Sequence, residues 1–226
     1  MTTAVLFDLD GTLTDSSLGI FRCFRHAFLR WRETGGPIVT LPGDDVLRDI
    51  VGPPLRQSFA RYGGAADVER LIGFYRERYE TVGAFENRVY DGAVAALDHL
   101  REAGARLFVA TSKTEGDAQR ILVHFGLAER FESINGARAD GSRAGKREII
   151  GDTLTAHALA PAQAVMIGDR SYDVEGARAL DVRVIGALWG YGSREELKDA
   201  DALAGTPQEA AAEALAAHPV AAAVTR

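Results

Sequence analysis

The sequence predicts an α/β protein in which a parallel sheet has helices on both faces and is interrupted by an all-helical insertion. Three observations lead to this prediction. Short apolar runs alternate with longer segments of helical periodicity, polar or acidic residues directly follow three of the four runs, and the stretch between the first two runs has only helical patterns. A length of 226 residues suits one large domain with an insertion.

The predicted strands are short, continuous apolar runs, and patterns of helical length separate the later ones. The strands are at residues 4–7, 107–110, 164–167 and 182–185, and the helices are at roughly 115–125, 146–157 and 171–180. In parallel sheets of this kind, ligands bind at the carboxyl ends of the strands. The polar residues that follow the strands therefore indicate where the functional site lies.

Residues 16–88 have a different pattern, in which apolar side chains recur at helical spacing and no strand-like run appears. Breaks rich in glycine and proline divide this stretch into about four helices. The breaks are at residues 35–37, 52–54 and 63–64. The sequence therefore predicts a core domain made of residues 1–15 and 89–226, and an inserted α-helical domain made of residues 16–88.

Composition and charge narrow the classes of partner. The formal net charge is -6 and the pI is about 5.4, which gives no electrostatic reason to expect nucleic acid or an anionic membrane as a partner. No window approaches 18 uninterrupted apolar residues, so the expected location is the cytoplasm. The single cysteine, Cys23, lies at helical spacing among phenylalanines and is expected to be a small core residue. Residues 207–217 predict a surface helix, and residues 218–226 a frayed tail.

Two carboxylates follow the first strand, in the run Asp8-Leu9-Asp10-Gly11-Thr12. Carboxylates at i and i+2 beyond a strand can share one face, and a glycine after them allows a sharp turn. Two such charges close together need a cation or a shared proton. Taken alone, the run is explained equally well as an acidic turn that closes a strand.

Hydroxyl and ammonium groups follow the second strand and begin a later helix. Thr111, Ser112 and Lys113 come directly after the strand at 107–110, where a hydroxyl and the amides of a helix N-terminus can bind a phosphate oxygen. Lys146 begins a helix, and a lysine there can neutralise an anionic group. Taken singly, a capping Thr and a solvated lysine are the more common explanations.

Two further carboxylates follow the third strand. Asp169 and Asp173 are one helical turn apart, so both can point at one hard cation. Magnesium prefers a few carboxylate oxygens together with water and substrate phosphate, which suits this number of acidic residues. A capped helix start would explain the motif if it stood alone. Because all four motifs belong to one predicted sheet, they predict one site.

The order of these motifs resembles that of the haloacid dehalogenase superfamily. Asp-x-Asp-Gly-Thr at residues 8–12, Thr111 at the end of the second strand, Lys146, and Gly-Asp-x-x-x-Asp at residues 168–173 carry the resemblance, which covers nearly the whole chain. The insertion resembles the small α-helical cap of the phosphoglycolate phosphatase-like branch. The segments at 52–55, 85–87 and 189–193 are similar to those of bacterial members named phosphoglycolate phosphatase or 5′-nucleotidase.

The resemblance implies roles for the residues around the nucleophile. Asp8 would be the nucleophile and would bind magnesium through its other oxygen. Asp10 would act as general acid for the leaving oxygen and then as general base for water, and its backbone carbonyl would bind the metal. Thr111 and the amide of Ser112 would hold the phosphate.

The resemblance also implies roles for the charged groups nearby. Lys146 would steady the charge of Asp8, Asp169 would bind magnesium, and Asp173 would support the metal directly or through water. Lys113 is an alternative to Lys146 as the family's lysine and a candidate contact of the substrate.

These roles imply a magnesium-dependent phosphatase, a phosphoric monoester hydrolase with a Rossmann-like core and an inserted cap. Its substrate would be a small phosphomonoester such as phosphoglycolate, a nucleoside monophosphate or a sugar phosphate, hydrolysed through an aspartyl phosphate. Arg56 in the insertion is a candidate for selecting that substrate. The expected oligomeric state is a monomer or a weak homo-oligomer.

Other enzymes and one signalling module share parts of this pattern. A β-phosphoglucomutase-like enzyme shares all four motifs and remains an alternative, as does a phosphoaspartate receiver-type module, which lacks the insertion and the last motif. Asp10 argues against the dehalogenase branch, whose members lack this second Asp. Residues 16–88 contain no lysine, which argues against the phosphonate-cleaving branch.

Overall fold

The computed structural model describes residues 3–53, 55–140, 142–143 and 145–217. Pro54, the last residue of the predicted break at 52–54, and the predicted tail at 218–226 lie outside the described residues. The chain forms two compact units, one made of Met1–Leu13 and Val89–Arg226 and the other of Thr14–Arg88. That residues 16–88 act as a cap stays a prediction.

The first unit contains a six-stranded parallel sheet in the order β5-β4-β1-β6-β7-β8. The strands are β1 (Ala4–Phe7), β4 (Arg106–Thr114), β5 (Ser133–Ala137), β6 (Ala164–Gly168), β7 (Arg183–Ala187) and β8 (Ala202–Ala204). Two short strands, β2 (Thr14–Asp15) and β3 (Arg88–Val89), pair with each other. The predicted fold class, a parallel sheet with helices, is confirmed.

Helices of the first unit follow the strands. They are α5 (Ala93–Glu102), α6 (Glu115–His124), α7 (Lys146–Ala156), α8 (Ser171–Arg178) and α9 (Pro207–Ala217). The helices at 115–124, 146–156, 171–178 and 207–217 were predicted from the sequence, whereas the helix at 93–102 was not. Phe108, Met166 and Val184 of the sheet pack with Ile149 of α7 and Val174 of α8 in one buried cluster. Burying side chains of this size contributes about 2–3 kcal/mol each. This packing fixes α7 and α8 beside the central strands.

Four of the described strands, β2, β3, β5 and β8, were not predicted from the sequence, and β4 was predicted too short. The edge strands β5 and β8 were not predicted, because β5 contains Asn135 and Gly136, which disfavour strands, and β8 has only three residues. β4 was predicted to end at Ala110, but it continues to Thr114 through a register shift against β5. The extension places Ser112 and Lys113 on strand backbone, not at a helix N-terminus.

In its described residues, the second unit contains four α-helices, which turns and short 3-10 segments join. The α-helices are α1 (Ser17–Glu33), α2 (Asp44–Leu47), α3 (Leu55–Gly63) and α4 (Val68–Tyr79). Aromatic side chains form its core: the rings of Phe24 and Phe59 stack with centroids 4.7 Å apart, and Phe28 lies 5.2 Å from Phe24. Cys23 is fully buried beside them, so the prediction that it is a core residue is confirmed. No helix among the described residues is long and apolar enough to cross a membrane.

Two arginines hold Glu86 near the end of the second unit. The Nη1 and Nη2 groups of Arg78 donate to the carboxylate over 2.5 and 2.9 Å, and Nη1 of Arg22 donates over 2.6 Å. Chiefly because of the bonds from Arg78, the pKa of Glu86 falls to about 2, although burial opposes the shift. Asn87, next in the chain, donates to Thr14. The Glu86 pairs therefore fasten the last segment of this unit to α1 and α4.

Replacing Glu86 by glutamine is expected to reduce the free energy of unfolding by about 2 kcal/mol, because two guanidinium groups lose their ionic partner. A carboxylate with a lowered pKa stabilises the fold above its ordinary pKa and loses that contribution as the pH falls. The difference between wild type and Glu86→Gln should therefore be full at pH 6 and shrink from pH 4.5 towards pH 2. Denaturant unfolding across this range measures it. The matched control is Glu33→Gln in an exposed pair with Arg30, where about 0.5 kcal/mol or less is expected; an equal loss in both variants would contradict the argument.

Candidate active site

The carboxyl ends of three neighbouring strands bring the predicted residues together. β1 lies between β4 and β6, so Asp8 after β1, Thr111 in β4 and Asp169 after β6 lie at one edge of the sheet. The amide of Asp8 donates to the carbonyl of Ile167 over 2.9 Å, which continues the ladder to Asp8, the predicted nucleophile. All three side chains are buried.

Three buried carboxylates form an acidic cluster. Asp8, Asp169 and Asp173 each have a carboxylate oxygen within 4.8 Å of the others. Burial first, and then the charges of Asp8 and Asp173, raise the pKa of Asp169 well above its ordinary value. Burial also raises the pKa of Asp173 to about 6, although the charge of Lys146 opposes this. Hard carboxylate oxygens at this separation suit Mg²⁺, which would offset their repulsion.

Lys146 provides the one ammonium group that contacts this cluster among the described residues. Its Nζ lies 2.7 Å from Oδ1 of Asp8 and 2.6 Å from Oδ1 of Asp173, and it donates to the carbonyl of Ala110 over 2.8 Å. Burial lowers the pKa of this ammonium, but the attraction of Asp173 and Asp8 outweighs burial, so the pKa is raised. Lys146 is therefore charged and joins two of the three acids. A Cβ on Gly176 of α8 would lie 2.7 Å from Cβ of Lys146, so the glycine permits this approach.

Lys113 pairs with a different carboxylate. Its Nζ lies 2.8 Å from Oδ2 of Asp10, and both side chains are nearly buried. The two lysines that the sequence offered as alternatives thus contact different acids, Lys146 contacting Asp8 and Lys113 contacting Asp10. Lys113 also donates its backbone N–H to Oγ1 of Thr111 over 3.3 Å, whereas Ser112 is half-buried on the same strand extension.

Sequence reasoning missed the groups that hold Asp169. The Thr12 hydroxyl donates to Oδ1 over 3.2 Å, and the backbone N–H of Tyr191 donates to Oδ2 over 2.8 Å. The indole of Trp189 donates to the carbonyl of Thr12 over 3.0 Å, which ties the two segments together. The alternation of aromatic residues and glycines at 189–192 was the signal in the sequence that could have found them.

Three glycines crowd Asp169 and leave no room for a side chain. A Cβ on Gly11, Gly190 or Gly192 would overlap atoms of Asp169. Gly11 also has φ of +91°, a left-handed conformation that favours glycine. The close approach of these backbones fixes the orientation of the carboxylate.

Arg56, the predicted substrate contact, lies in α3 of the second unit. Its guanidinium pairs with Glu69 on an exposed surface of that unit. Its role in choosing the substrate stays a prediction.

Comparison with known proteins places the chain in a family. The model of the haloacid dehalogenase-like hydrolase family matches residues 5–187. This chain is a member of that family. The predicted family is therefore confirmed. The motif residues of this haloacid dehalogenase-like hydrolase lie within the matched range.

Two curated proteins and one solved structure are similar to this chain over most of its length. The tyrosine-protein kinase PtkA of Mycobacterium tuberculosis (strain H37Rv) is 44% identical over 188 residues, which cover 83% of this chain but 62% of PtkA, so the chain spans less than two thirds of that relative. A 5′-nucleotidase of Pseudomonas aeruginosa is 39% identical over 196 residues, 86% of each protein. A crystal structure named as a predicted phosphatase from Clostridium acetobutylicum has a TM-score of 0.88 and 36% identity, and covers 96% of this chain and 99% of its own. The phosphatase and nucleotidase relatives support the predicted enzyme class, a phosphoric monoester hydrolase.

Proposed function

We propose that this haloacid dehalogenase-like hydrolase is a magnesium-dependent phosphatase that hydrolyses a small phosphomonoester through an aspartyl phosphate on Asp8. One observation carries the proposal. The Asp8 carboxylate lies at a strand end with the buried ammonium of Lys146 2.7 Å away and two further acids within 4.8 Å. A carboxylate attacks a dianionic phosphate only when nearby positive charge offsets the repulsion. Lys146 supplies one positive charge, and a Mg²⁺ ion held by the acids would supply the rest.

The reaction divides into two displacements. An oxygen of Asp8 attacks phosphorus, the bond from phosphorus to the ester oxygen breaks, and Asp10 gives its proton to the departing oxygen. Water then attacks the phosphorus of the aspartyl phosphate, Asp10 takes a proton from that water, and Asp8 leaves as a carboxylate with inorganic phosphate released. Each step is a simple in-line displacement. Acid–base help of this kind is worth about 10²–10⁴-fold.

The residues around Asp8 would hold the metal and the phosphate. Asp8, Asp169 and the backbone carbonyl of Asp10 would bind Mg²⁺, with Asp173 in support directly or through water. The bound ion would supply positive charge against the phosphate oxygens. Thr111 and the amide of Ser112 would hold those oxygens, and Lys146 would keep its ammonium beside Asp8.

The names of the relatives and the net charge support proposals for the substrate class, the location and the oligomeric state. We propose phosphoglycolate, nucleoside monophosphates and sugar phosphates as the substrate class, which includes the class that the name of the Pseudomonas relative indicates. Residues 16–88 would act as the cap that selects among them, with Arg56 as a candidate contact. The net charge of -6 favours a small metabolite over nucleic acid or an anionic membrane. The proposed location is the cytoplasm, and the proposed state a monomer or weak homo-oligomer.

A second candidate function is phosphoryl transfer from ATP to protein tyrosine. The observation that favours it is the 44% identity to PtkA.

A magnesium-supplemented screen of phosphomonoesters, run beside an autophosphorylation assay with γ-labelled ATP, separates the phosphatase from the kinase. Multiple turnover of a phosphomonoester without labelling of the protein on tyrosine supports the phosphatase. Tyrosine labelling without hydrolysis would overturn it, and turnover that depends on a sugar bisphosphate would indicate the mutase.

Magnesium is expected to raise the melting temperature of the protein, and more so at pH 7 than at pH 5. The raised pKa of Asp173, about 6, means that the metal-free fold gains stability from a proton there and loses it as the pH rises through 6. Mg²⁺ competes with that proton, so its effect grows over the same window. At 100 times the dissociation constant, binding contributes about 2.7 kcal/mol, or a shift of roughly 5–10 °C. Differential scanning calorimetry measures the magnesium-induced shift of the melting temperature. Asp169→Asn is the control that should remove this shift. An equal shift at both pH values would contradict this account.

A further inference from the structure

The carboxylate of Asp10 depends on a single partner among the described residues. Oδ2 lies 2.8 Å from Nζ of Lys113, while Oδ1 is buried and makes no hydrogen bond within the described part of the chain. Asp169, by contrast, accepts bonds from Thr12 and Tyr191. An Asp carboxylate rotates easily about its last torsion, so one partner decides where its oxygens point.

The use of lysine at this position is itself informative. The chain has 23 arginines and only three lysines, at positions 113, 146 and 198. Two of the three form nearly buried pairs with carboxylates at the carboxyl edge of the sheet, and Lys198 lies on the surface beside Glu195. An ammonium is a compact group on a thin stem, whereas a guanidinium is a broad fork. Lysine at position 113 therefore places a compact charge beside Asp10.

The backbone under Lys113 is shaped to hold it there. β4 continues past Ala110 through a register shift, and such irregularities redirect side chains near active sites. A Cβ on Gly136 of β5 would lie 2.6 Å from the carbonyl oxygen of Lys113 and from the amide of Glu115. Gly136 thus lets the neighbouring backbone pass close to Lys113 and fixes the strand extension.

We propose that Lys113 is the positioning residue of Asp10, and that it holds Oδ2 so that the proton travels on Oδ1. An ammonium only donates, so a carboxylic acid that keeps this bond must carry its proton on the other oxygen. The buried Oδ1 has no partner among the described residues. In the reaction, its hydrogen-bond partner would be the leaving oxygen of the substrate, and later the attacking water. This role rests on the proposed phosphatase function and differs from binding of the substrate phosphate.

A positioning role predicts an effect that depends on the leaving group. Poor leaving groups need a proton from Asp10, whereas a good one such as 2,4-dinitrophenolate departs without it. Lys113→Met should therefore lower kcat/KM for phenyl and alkyl phosphates by about 10²-fold or more, but for 2,4-dinitrophenyl phosphate by less than about 10-fold. The plot of log kcat/KM against leaving-group pKa should become steeper.

The experiment compares wild type, Lys113→Met, Asp10→Asn and the matched control Lys198→Met on one series of phosphate esters with Mg²⁺. Lys198→Met should match wild type, and Asp10→Asn should show the same steepening as Lys113→Met, with little added loss in the double variant. Gly136→Ala, which disturbs the backbone under Lys113, should steepen the plot in the same direction. Circular dichroism confirms folding of each variant.

The remaining outcomes overturn the proposal. An equal loss for all esters, appearing in KM, would assign Lys113 to substrate binding. Unchanged or increased activity of Lys113→Met would show that the pair does not serve the reaction. If Lys113→Met does not fold, the slope for Gly136→Ala decides, and a slope like that of wild type rejects the role. Failure of wild type to hydrolyse even 2,4-dinitrophenyl phosphate would reject the phosphatase itself, and the role of Lys113 with it.

Discussion

Replacing Asp8 by alanine is expected to reduce phosphatase turnover by a factor on the order of 10⁴ or more, because no other group would form the covalent intermediate. The fold should survive. Asp8 is one of three acids that repel each other, and without it the ammonium of Lys146 still pairs with Asp173 at 2.6 Å. Removing one buried like charge should leave the melting temperature of the metal-free protein unchanged or raise it.

Steady-state kinetics with Mg²⁺ and thermal unfolding of the same preparation measure both effects. Asp8→Asn should behave alike, after a check by mass spectrometry for deamidation back to Asp. Asp199→Ala, at an exposed position of the same unit, is the control and should retain full activity. Turnover above a few per cent in a clean Asp8→Ala preparation would exclude Asp8 as the nucleophile.

Asp169→Ala is expected to lose magnesium-dependent activity almost completely, whereas Asp173→Ala should lose about 10–100-fold. The two acids have different partners. Asp169 is oriented by Thr12 and by the amide of Tyr191, its carboxylate lies beside Gly11, and one of its oxygens lies within 4.8 Å of an oxygen of Asp8. Asp173 is already engaged by Lys146 and by the amide of Arg170, so it has less freedom to bind a metal.

Titration of activity with Mg²⁺ after treatment with a chelator tests this order. Asp173→Ala should recover part of its activity at high Mg²⁺, and Asp169→Ala should not. Full activity of the wild type after chelation would contradict a metal requirement. A reversal of the two variants would exchange their assigned roles.

The sequence predicted those features that follow from strand ends. Asp8 and Asp169 each come directly after a continuous apolar run, so the rule that parallel strands present their carboxyl ends at one edge was enough to bring them together. The aromatic core of the second unit was likewise visible, because Phe24 and Phe28 recur at helical spacing.

Features that depend on contacts between distant segments could not be predicted in this way. The pair of Lys113 with Asp10 forms because β4 shifts register and runs three residues beyond Thr111. The local sequence propensity does not predict such a shift. The bond from Tyr191 to Asp169 joins residues that are 22 positions apart and separated by α8 and β7. The assignment of the two lysines to two different acids has the same origin.

The distribution of lysines has a practical consequence for handling the protein. All three lysines pair with carboxylates, but the side chain of Lys198 is 61% exposed, whereas those of Lys113 and Lys146 are 9% and 4% exposed. An active ester acylates an accessible, neutral amine, so among side chains a dye, biotin or resin attaches at Lys198 alone. Lys198 lies between β7 and β8, so among the lysine side chains it is the one anchor for immobilising the enzyme without altering its acids.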